Sequence, residues 1–285
     1  MVIGAGGLLG RALVRRLERN FAGTIAATRA EVDVADRIRL EAELERLGPT
    51  VVINCAAWTD VDGCTRDPHR AMSINAEGAG NVARVAAASG CRVVQISTDF
   101  VFDGRSDRPY VESDAPAPLS DYGRSKLEGE RRVAEAAADH LIVRTAWLYG
   151  EGGQTFVDCI RRRAEAGDLL RVVDDQFGSP TWVEDLADGI ARLLRTEFRG
   201  LVHLVNRGVC SRYELAAAVL EAIGLAGRVR LEAVKTAPAP GIAPRPARAA
   251  LDTGLYERLT GAMMRSWKTA LWDYLGRRAK EGQPA

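Results

Sequence analysis

The chain opens on the segment Val2-Ile-Gly-Ala-Gly-Gly-Leu-Leu-Gly10, which predicts a strand, a glycine-rich turn and the start of a helix. Glycine suits such a turn because a backbone without Cβ can bend tightly and approach a pyrophosphate. The N-terminus of the following helix offers free N–H groups and a partial positive charge. The spacing Gly-x-x-Gly-x-x-Gly differs from the usual Gly-x-Gly-x-x-Gly, and a purely structural turn is an alternative. The strand-to-helix position favours dinucleotide binding.

Short β-rich runs alternate with amphipathic helical stretches through the first half of the chain. The predicted strands cover 2–3, 24–28, 50–54, 92–97 and 141–144. The predicted helices cover 8–17, 38–47, 68–88 and a segment that begins near residue 122. Strands that alternate with helices imply right-handed βαβ crossovers. We therefore predict an α/β fold with a doubly wound parallel sheet of the Rossmann type and a smaller C-terminal substrate-binding lobe.

The alternation becomes less regular after about residue 147, which suggests where a first domain ends. We assign 1–146 to an NAD(P)-binding domain and 147–285 mainly to the substrate-binding lobe, with part of 169–205 returning to the first domain. The run 237–246 is predicted to be a loop, because its prolines exclude a helix or a central strand. The terminal residues 277–285 are expected to be frayed.

Composition and charge argue against several classes of protein. The chain has 285 residues, of which 47% are hydrophobic and 27% charged, as in ordinary globular proteins. Its net charge of +1, with dispersed basic residues, gives no reason to expect a nucleic-acid partner. No apolar run approaches the ~20 residues of a membrane span, and the first residues leave no room for a signal peptide. We expect a cytoplasmic protein without membrane association.

The five cysteines are odd in number, widely spaced and without a Cys-x-x-Cys pair. This pattern argues against a disulfide framework and against a zinc site. We predict free thiols and assign no metal site; a requirement for Mg²⁺ finds no support in the sequence.

Tyr122 and Lys126 lie four residues apart at the start of a predicted helix, so both side chains project from one face. A lysine ammonium near a tyrosine hydroxyl should lower the pKa of that hydroxyl and make it a proton donor near neutral pH. The chain has four lysines against 35 arginines, so this lysine is not a routine surface residue. Tyr-x-x-x-Lys alone is common by chance, however, and an exposed helix face would also explain it.

Residues after the second and third strands suit the two ends of a dinucleotide. Asp33 lies ~20–30 residues beyond the glycines, where an acid can meet a ribose. Arg29 could pair with a 2′-phosphate, which would favour NADPH over NADH, although a solvated arginine is an equal alternative. Ala56, Ala57 and Thr59 follow the third strand, where small side chains would let a cofactor cross the carboxyl edge of the sheet.

Four further runs, in order along the chain, carry a resemblance to a known family. They are Gln95–Gly104 (QISTDFVFDG), Arg144–Gly150 (RTAWLYG), Asp174–Thr181 (DDQFGSPT), and Pro244-Arg-Pro246 followed by Leu251-Asp-Thr253. Together with the glycine loop and Tyr-x-x-x-Lys, they resemble the extended short-chain dehydrogenase/reductases, and within them the dTDP-4-dehydrorhamnose reductase family. The resemblance covers Gly4 to about Leu275. Two departures are Phe100, where the family often has tyrosine, and a first strand shorter than usual.

The resemblance implies NAD(P)H-dependent reduction of the C4 ketone of dTDP-4-dehydro-L-rhamnose to dTDP-L-rhamnose. The implied catalytic residues are Thr98, Tyr122 and Lys126. The implied cofactor-binding residues are Gly4, Gly7, Leu8, Leu9, Gly10, Arg29, Asp33, Val34, Ala56, Ala57, Thr59, Tyr122 and Lys126. The implied substrate-binding residues are Thr98, Asp99, Trp147, Gln176, Pro180, Thr181 and Arg245.

Structural explanations compete for three of the substrate-binding residues. Asp99 could cap a turn, Trp147 could pack in the core, and Arg245 could be a surface arginine. The function also has rivals: a reductase or epimerase of another 4-keto sugar nucleotide, or a non-catalytic NADP-binding subunit resembling the β subunit of methionine adenosyltransferase. Retention of all three catalytic residues favours an enzyme. The expected partner is a dTDP-sugar, and the expected state is a monomer or homodimer.

Overall fold

The structure is a computed structural model and describes residues 1–281. Its strands are β1 Val2–Ile3, β2 Ala26–Ala27, β3 Val51–Asn54, β4 Arg92–Thr98, β5 His140–Thr145, β6 Leu148–Tyr149, β7 Leu170–Val173, β8 Phe177–Gly178, β9 Thr181–Trp182, β10 Gly200–His203, β11 Cys210–Ser211 and β12 Leu231–Val234. Its α-helices are α1 Leu8–Glu18, α2 Arg37–Leu47, α3 Val61–Arg66, α4 Pro68–Met72, α5 Gly78–Ala88, α6 Asp121–Ala136, α7 Phe156–Glu165, α8 Val183–Leu193, α9 Arg212–Ala222, α10 Gly254–Thr260 and α11 Trp267–Glu281.

A six-stranded parallel sheet with the order β10-β5-β4-β3-β1-β2 forms the centre of the molecule. Successive side chains along each strand enter opposite cores, because the side-chain period of a strand is two residues. Val94 and Val143 join the core that contains α1 and α8, whereas Val93 and Ile142 join the core that contains α2 and α5. Burial on both faces is typical of a parallel sheet. The predicted Rossmann-type fold is confirmed.

The strand order reverses between β1 and β3, which pair in parallel with Ile3 opposite Asn54. From β1 the chain first crosses to the outer strand β2 and then returns to β3 on the other side. The loops that leave β1 and β3 therefore diverge and open a crevice at the carboxyl edge of the sheet. Ligands bind at such a position in open α/β sheets.

The segment 68–88, predicted to be one helix, contains a π-helical turn at Ser73–Glu77 between α4 and α5. Asn75 in this turn accepts a hydrogen bond from Trp58 N (2.8 Å) and donates to Trp58 O and Ser125 Oγ (both 3.0 Å). The turn thereby ties the loop after β3 to helix α6. Insertions of this kind in helices are frequent at functional sites.

The second half of the chain adds three two-stranded ladders: β6 with β9, β7 with β12, and β8 with β11. The segment 200–203 returns to the central sheet as β10. Helix α11 continues to Glu281, so the fraying expected from residue 277 is wrong for 277–281, and residues 282–285 lie outside the described part. None of the helices between residues 1 and 281 is both long and apolar enough to cross a bilayer.

Candidate active site

A cavity of about 720 Å³ lies at the carboxyl edge of the central sheet. Loops after β1, β3 and β4 form one side, and the loop after β5 with segments of the second half forms the other. Of the residues predicted to act in catalysis or binding, it is lined by Gly7, Leu8, Leu9, Gly10, Ala57, Thr59, Thr98, Asp99, Tyr122, Lys126, Trp147, Gln176 and Arg245. Most of the predicted site is therefore gathered in one cavity.

A second cavity of about 290 Å³ adjoins the first, and both are lined by Gly7, Cys55 and Ala57. The remaining predicted cofactor residues line it: Gly4, Arg29, Asp33, Val34 and Ala56. Arg29 and Asp33 form an ion pair there with a separation of 3.3 Å. The two cavities meet at the three residues that they share beside the glycine loop, and we call them together the groove.

The three glycines of the first turn have different roles. Gly4 has φ +77°, and a Cβ on it would lie 2.8 Å from Ala56 N, so the loops after β1 and β3 are in close contact. A Cβ on Gly10 would lie 2.2 Å from Gly4 O, which only glycine allows. Gly7 is the N-cap of α1, makes no side-chain cap, and lines both cavities.

The first-turn N–H groups of α1 therefore face the groove without a capping side chain. Such a helix N-terminus attracts anions through its free donors and its dipole. The arrangement has the donors that could hold a pyrophosphate lying over the glycine loop.

Thr98 ends β4, and its hydroxyl donates to Asp99 Oδ1 (3.0 Å) and accepts from Phe100 N (3.2 Å). Asp99 is 2% exposed, and its Oδ2 has no hydrogen-bond partner among the described residues. Burial raises the pKa of Asp99 to about 7, although the Thr98 hydroxyl and the charge of Arg212 oppose the shift. The carboxyl is thus poised between its neutral and charged forms near neutral pH.

Tyr122 is held beside Thr98 because α6 approaches the end of β4 closely. Ser120 caps the helix by accepting from Gly123 N (3.2 Å), and a Cβ on Gly123 would lie 2.2 Å from Phe100 O. The ring of Phe100 meets that of Tyr122 edge-to-face, with centroids 5.4 Å apart.

The prediction that Lys126 lowers the pKa of Tyr122 is wrong. Burial raises the pKa of Tyr122 above its ordinary value; the neighbouring Thr98 hydroxyl opposes this shift, and the Asp99 carboxyl adds to it. The ammonium group of Lys126 instead donates to Ile96 O at 2.7 Å. The shared helix face could be predicted from the spacing of the two residues, but the burial that dominates the proton equilibrium could not.

Lys126 is 4% exposed, and burial lowers its pKa to about 8, with Glu130 one turn along opposing the shift. Glu130 is itself buried and receives two bonds from Arg144, at 2.7 and 2.9 Å, and one from Ser97. This buried ion pair fixes α6 against β4 and β5 and supports the wall that carries Tyr122 and Lys126.

The residues predicted from the second half fall into two groups. Trp147, Gln176 and Arg245 line the large cavity. Pro180 and Thr181 line neither cavity: Thr181 is fully buried, and its hydroxyl donates to Ser179 O (3.0 Å) and accepts from Asn206 N (3.2 Å). The ladder of β6 with β9 directs these two residues into the interior.

Trp147 and Arg245 have unexpected surroundings. Trp147 has φ +47°, the left-handed region that bulky residues rarely adopt, and such strain is typical of functional sites. Arg245 is paired with Asp62, with Nη1–Oδ1 2.6 Å and Nη2–Oδ2 3.0 Å. Its partner lies 183 positions away in α3.

Several lining residues carried no signal in the sequence. Arg212 and Phe156 border the large cavity, and Arg70, which lies over the Trp58 ring, borders the small one. They belong to no recognised run, and only proximity in the fold identifies them. Within residues 1–281 there is no group of three or more His, Cys, Asp or Glu side chains that could hold a metal ion.

A family model described as the RmlD substrate binding domain matches residues 1–279. The chain belongs to this family. It is 41% identical over 277 residues to dTDP-4-dehydrorhamnose reductase of Mycobacterium tuberculosis, and the aligned region covers 95% of this chain and 90% of the relative. It is 38% identical over 273 residues to dTDP-4-keto-6-deoxy-D-glucose reductase of Streptomyces niveus, with coverage of 95% and 94%.

The fold is also close to that of a crystal structure of dTDP-4-dehydrorhamnose reductase from Bacillus anthracis in complex with NADP. The TM-score is 0.91 and the identity 34%, and the match covers 97% of this chain and 96% of that one. The family assignment made from the sequence motifs is confirmed.

Proposed function

We propose that the protein reduces the C4 ketone of dTDP-4-dehydro-L-rhamnose to give dTDP-L-rhamnose, with NADPH or NADH as the reductant. The observation that carries the proposal is the meeting of Thr98, Tyr122 and Lys126 on one wall of a cavity that the glycine loop also lines. These are the side chains that a carbonyl reduction needs, and the named relatives are reductases of this kind.

Tyr122 and Thr98 act on the carbonyl oxygen of the substrate. The reduced nicotinamide supplies the hydride when it is bound. The Thr98 hydroxyl turns from Asp99 Oδ1 and donates a hydrogen bond to the oxygen on which negative charge develops, and Tyr122 donates the proton that completes the alcohol. Because burial raises the pKa of Tyr122, the hydroxyl keeps its proton at neutral pH until the oxygen becomes basic enough to take it.

Lys126 supplies positive charge beneath this reaction. Its pKa of about 8 leaves most of the ammonium charged at pH 7, and its bond to Ile96 O fixes it in the wall. A nearby ammonium stabilises the tyrosinate that remains after proton transfer.

We assign the two ends of the cofactor to different residues of the groove. Gly7 and the first turn of α1 bind the pyrophosphate, and Asp33 with Arg29 meets the adenosine ribose. Arg29 and Arg70 both line the small cavity and favour a 2′-phosphate, while Asp33 favours a free 2′-hydroxyl. We therefore expect use of both cofactors, with NADPH preferred. Residues 1–146 hold the cofactor and the second half holds most of the sugar nucleotide.

One assay tests the proposal directly. The protein is incubated with dTDP-4-dehydro-L-rhamnose and each reduced cofactor, and the loss of absorbance at the nicotinamide band is compared with the sugar product formed. A reductase consumes one cofactor per product, an epimerase consumes none, and a regulatory subunit only binds the cofactor. Product without cofactor loss, or binding without product, would exclude the proposed reaction.

A second candidate is a reductase of another 4-keto-6-deoxy sugar nucleotide. The similarity to the Streptomyces niveus enzyme, at 38% identity over nearly the whole chain, favours it specifically. The same assay with dTDP-4-keto-6-deoxy-D-glucose separates the two, because the substrate of higher kcat/KM identifies the function.

The cellular setting follows from the same proposal. All five cysteines carry free thiols, which suits the reducing environment of the cytoplasm. We propose a cytoplasmic monomer or homodimer, to be checked by measuring the mass of the protein in solution.

A further inference from the structure

Arg212 is a charged residue of the large cavity that none of the roles above uses. It is the first residue of α9, and its guanidinium carbon lies 3.5 Å from the centroid of the Trp147 ring and 5.0 Å from that of Phe156. Stacking on an aromatic face holds a guanidinium in a defined plane while its N–H edges stay available.

The donors of Arg212 are unused. Among the hydrogen bonds and ion pairs of residues 1–281, none involves its guanidinium, although the side chain is half-buried in the cavity wall. Arg245 on the same cavity differs, because its guanidinium donates to both carboxylate oxygens of Asp62 and to Ala243 O. A half-buried cation without a partner loses part of its hydration, so an anionic ligand would offset that cost.

The carboxyl group with the strongest electrostatic effect on Arg212 is that of Asp99, and it does not neutralise the guanidinium. Asp99 interacts with Arg212 electrostatically but forms no ion pair with it, and burial brings the pKa of Asp99 to about 7, so the carboxyl is only partly charged at neutral pH. Burial lowers the pKa of Arg212 to about 10, which still leaves it positively charged. Arg245 adds a second positive charge in the same region.

The position of Arg212 is built by three elements. The capping box of Ser211 and Glu214 fixes the start of α9, with bonds of 2.7 and 3.0 Å. Strand β11 pairs with β8, where Gly178 leaves room for the Trp147 ring; a Cβ there would lie 2.5 Å from it. Gly178, the strained Trp147 and Arg212 thus form one stack along the wall of the cavity.

We propose that Arg212, presented on Trp147, binds the diphosphate of the nucleotide-sugar substrate and contributes more to that binding than Arg245 does. The inference rests on the proposed function for the identity of the ligand. A guanidinium with free parallel N–H groups matches phosphate oxygens in a bidentate way, and a diphosphate carries enough negative charge for two arginines. In this proposal the main role of Arg245 is its ion pair with Asp62, which holds the loop 237–246 in place.

The test compares Arg212→Gln with Arg245→Gln by isothermal titration with dTDP and, separately, with NADPH. We expect Arg212→Gln to weaken dTDP binding by at least about tenfold, the scale of a lost charged hydrogen bond, and to leave NADPH binding within twofold. Arg245→Gln should weaken dTDP binding less. Wild-type affinity in Arg212→Gln, or a larger loss in Arg245→Gln, would overturn the inference.

Two further measurements cover the remaining outcomes. If Arg212→Gln does not fold, Arg212→Lys replaces it in the test, because a lysine keeps the charge but not the planar pair of donors. A dTDP affinity of Arg212→Lys equal to that of the wild type would overturn the inference. Titration with UDP and inorganic pyrophosphate separates it from the proposed function. If the wild-type protein fails to reduce the dTDP-sugar yet binds a diphosphate in an Arg212-dependent way, the proposed reaction is wrong and the role of Arg212 stands.

Discussion

The two walls of the large cavity are built in different ways. The wall that carries Thr98, Tyr122 and Lys126 consists of the end of one parallel strand and the helix that follows it. The opposite wall, with Trp147, Gln176 and Arg212, is assembled from two-residue ladders and loops. Its alignment depends on stacking and on contacts between segments far apart in sequence.

This difference in construction suits the two walls to different tasks. A parallel sheet fixes its carboxyl edge through the hydrogen bonds of every strand, so it can hold a proton donor and a cofactor within a narrow tolerance. Loops supported by a few pairs, such as Asp62 with Arg245, are easier to alter without loss of the fold. We infer that the first wall sets the reaction and the second wall sets which sugar nucleotide enters.

The largest effect should come from removing the proposed proton donor, Tyr122, from the first wall. Tyr122→Phe keeps the packing against Phe100 but loses the hydroxyl, so turnover should fall by roughly 10²–10⁴-fold, the usual scale for a general acid. NAD(P)H affinity, measured by fluorescence titration, should change little. Tyr110→Phe, which loses a bond to Asp103 outside the cavity, is the matched control. Turnover in Tyr122→Phe equal to that of the control would remove Tyr122 from the mechanism.

The second prediction concerns the buried carboxyl group of Asp99 in the same wall. Its pKa is raised to about 7, so the folded protein holds this proton more tightly than the unfolded chain, and stability falls as pH rises from about 4 to about 7. Asp99→Asn has no carboxyl group at this position, so the variant lacks this pH-dependent decrease in stability. The unfolding free energy of the variant relative to wild type should rise between pH 5 and pH 8 by up to about 3 kcal/mol.

Thermal unfolding at several pH values checks the prediction for Asp99. Any change in hydrogen bonding caused by the amide is independent of pH and cancels in the comparison. A constant difference in Tm from pH 5 to pH 8 would mean that the carboxyl is not held in an apolar setting.

A smaller effect is expected at the glycine loop. Gly7→Val places a branched side chain beside the free N–H groups, with Cβ 3.2 Å from Gly4 O, and should weaken NAD(P)H binding by roughly tenfold or more with little loss of stability. Gly10→Ala is the contrasting variant: its Cβ would overlap Gly4 O, so Tm itself should fall. Unchanged cofactor affinity in Gly7→Val would leave the loop as a structural turn only.

The smallest effect concerns the support of the second wall. Asp62→Ala removes the partner of Arg245 and the acceptor for Ala243 N (2.9 Å). Both ionic side chains are about a quarter exposed, so the unfolding free energy should fall by only about 1 kcal/mol. Limited proteolysis within 237–246 should become faster. Glu43→Ala, which removes an exposed pair with Arg46, is the control and should leave both measurements unchanged.

Local patterns were sufficient for the first wall. The spacing of glycines, the alternation of strands with helices, and Tyr122 with Lys126 on one helix face all depend on neighbours within a few residues or on the regular βαβ connection. The π-helical turn at Ser73–Glu77 and the tight approach of Gly123 to Phe100 were not visible, since each depends on a partner in another element.

Predictions about charge were weaker, because a pKa depends on burial as well as on neighbours. The sequence suggested that Lys126 lowers the pKa of Tyr122, whereas enclosure of the ring raises it and Lys126 is bonded to Ile96 O. In the same way, Arg245 could be recognised by its motif, but its pairing with Asp62 could not.

The sequence by itself determined the family through its motifs, the parallel sheet through a connection rule with few exceptions, and the shared helix face of Tyr122 and Lys126 through their spacing. Only the tertiary structure decided which side chains face the ligand and in what state of charge. It turned Thr181 inward, paired Arg245 with Asp62, and brought Arg212 onto Trp147 from 65 positions away along the chain. These outcomes depend on desolvation and on long-range contacts, which exist only once the chain is packed.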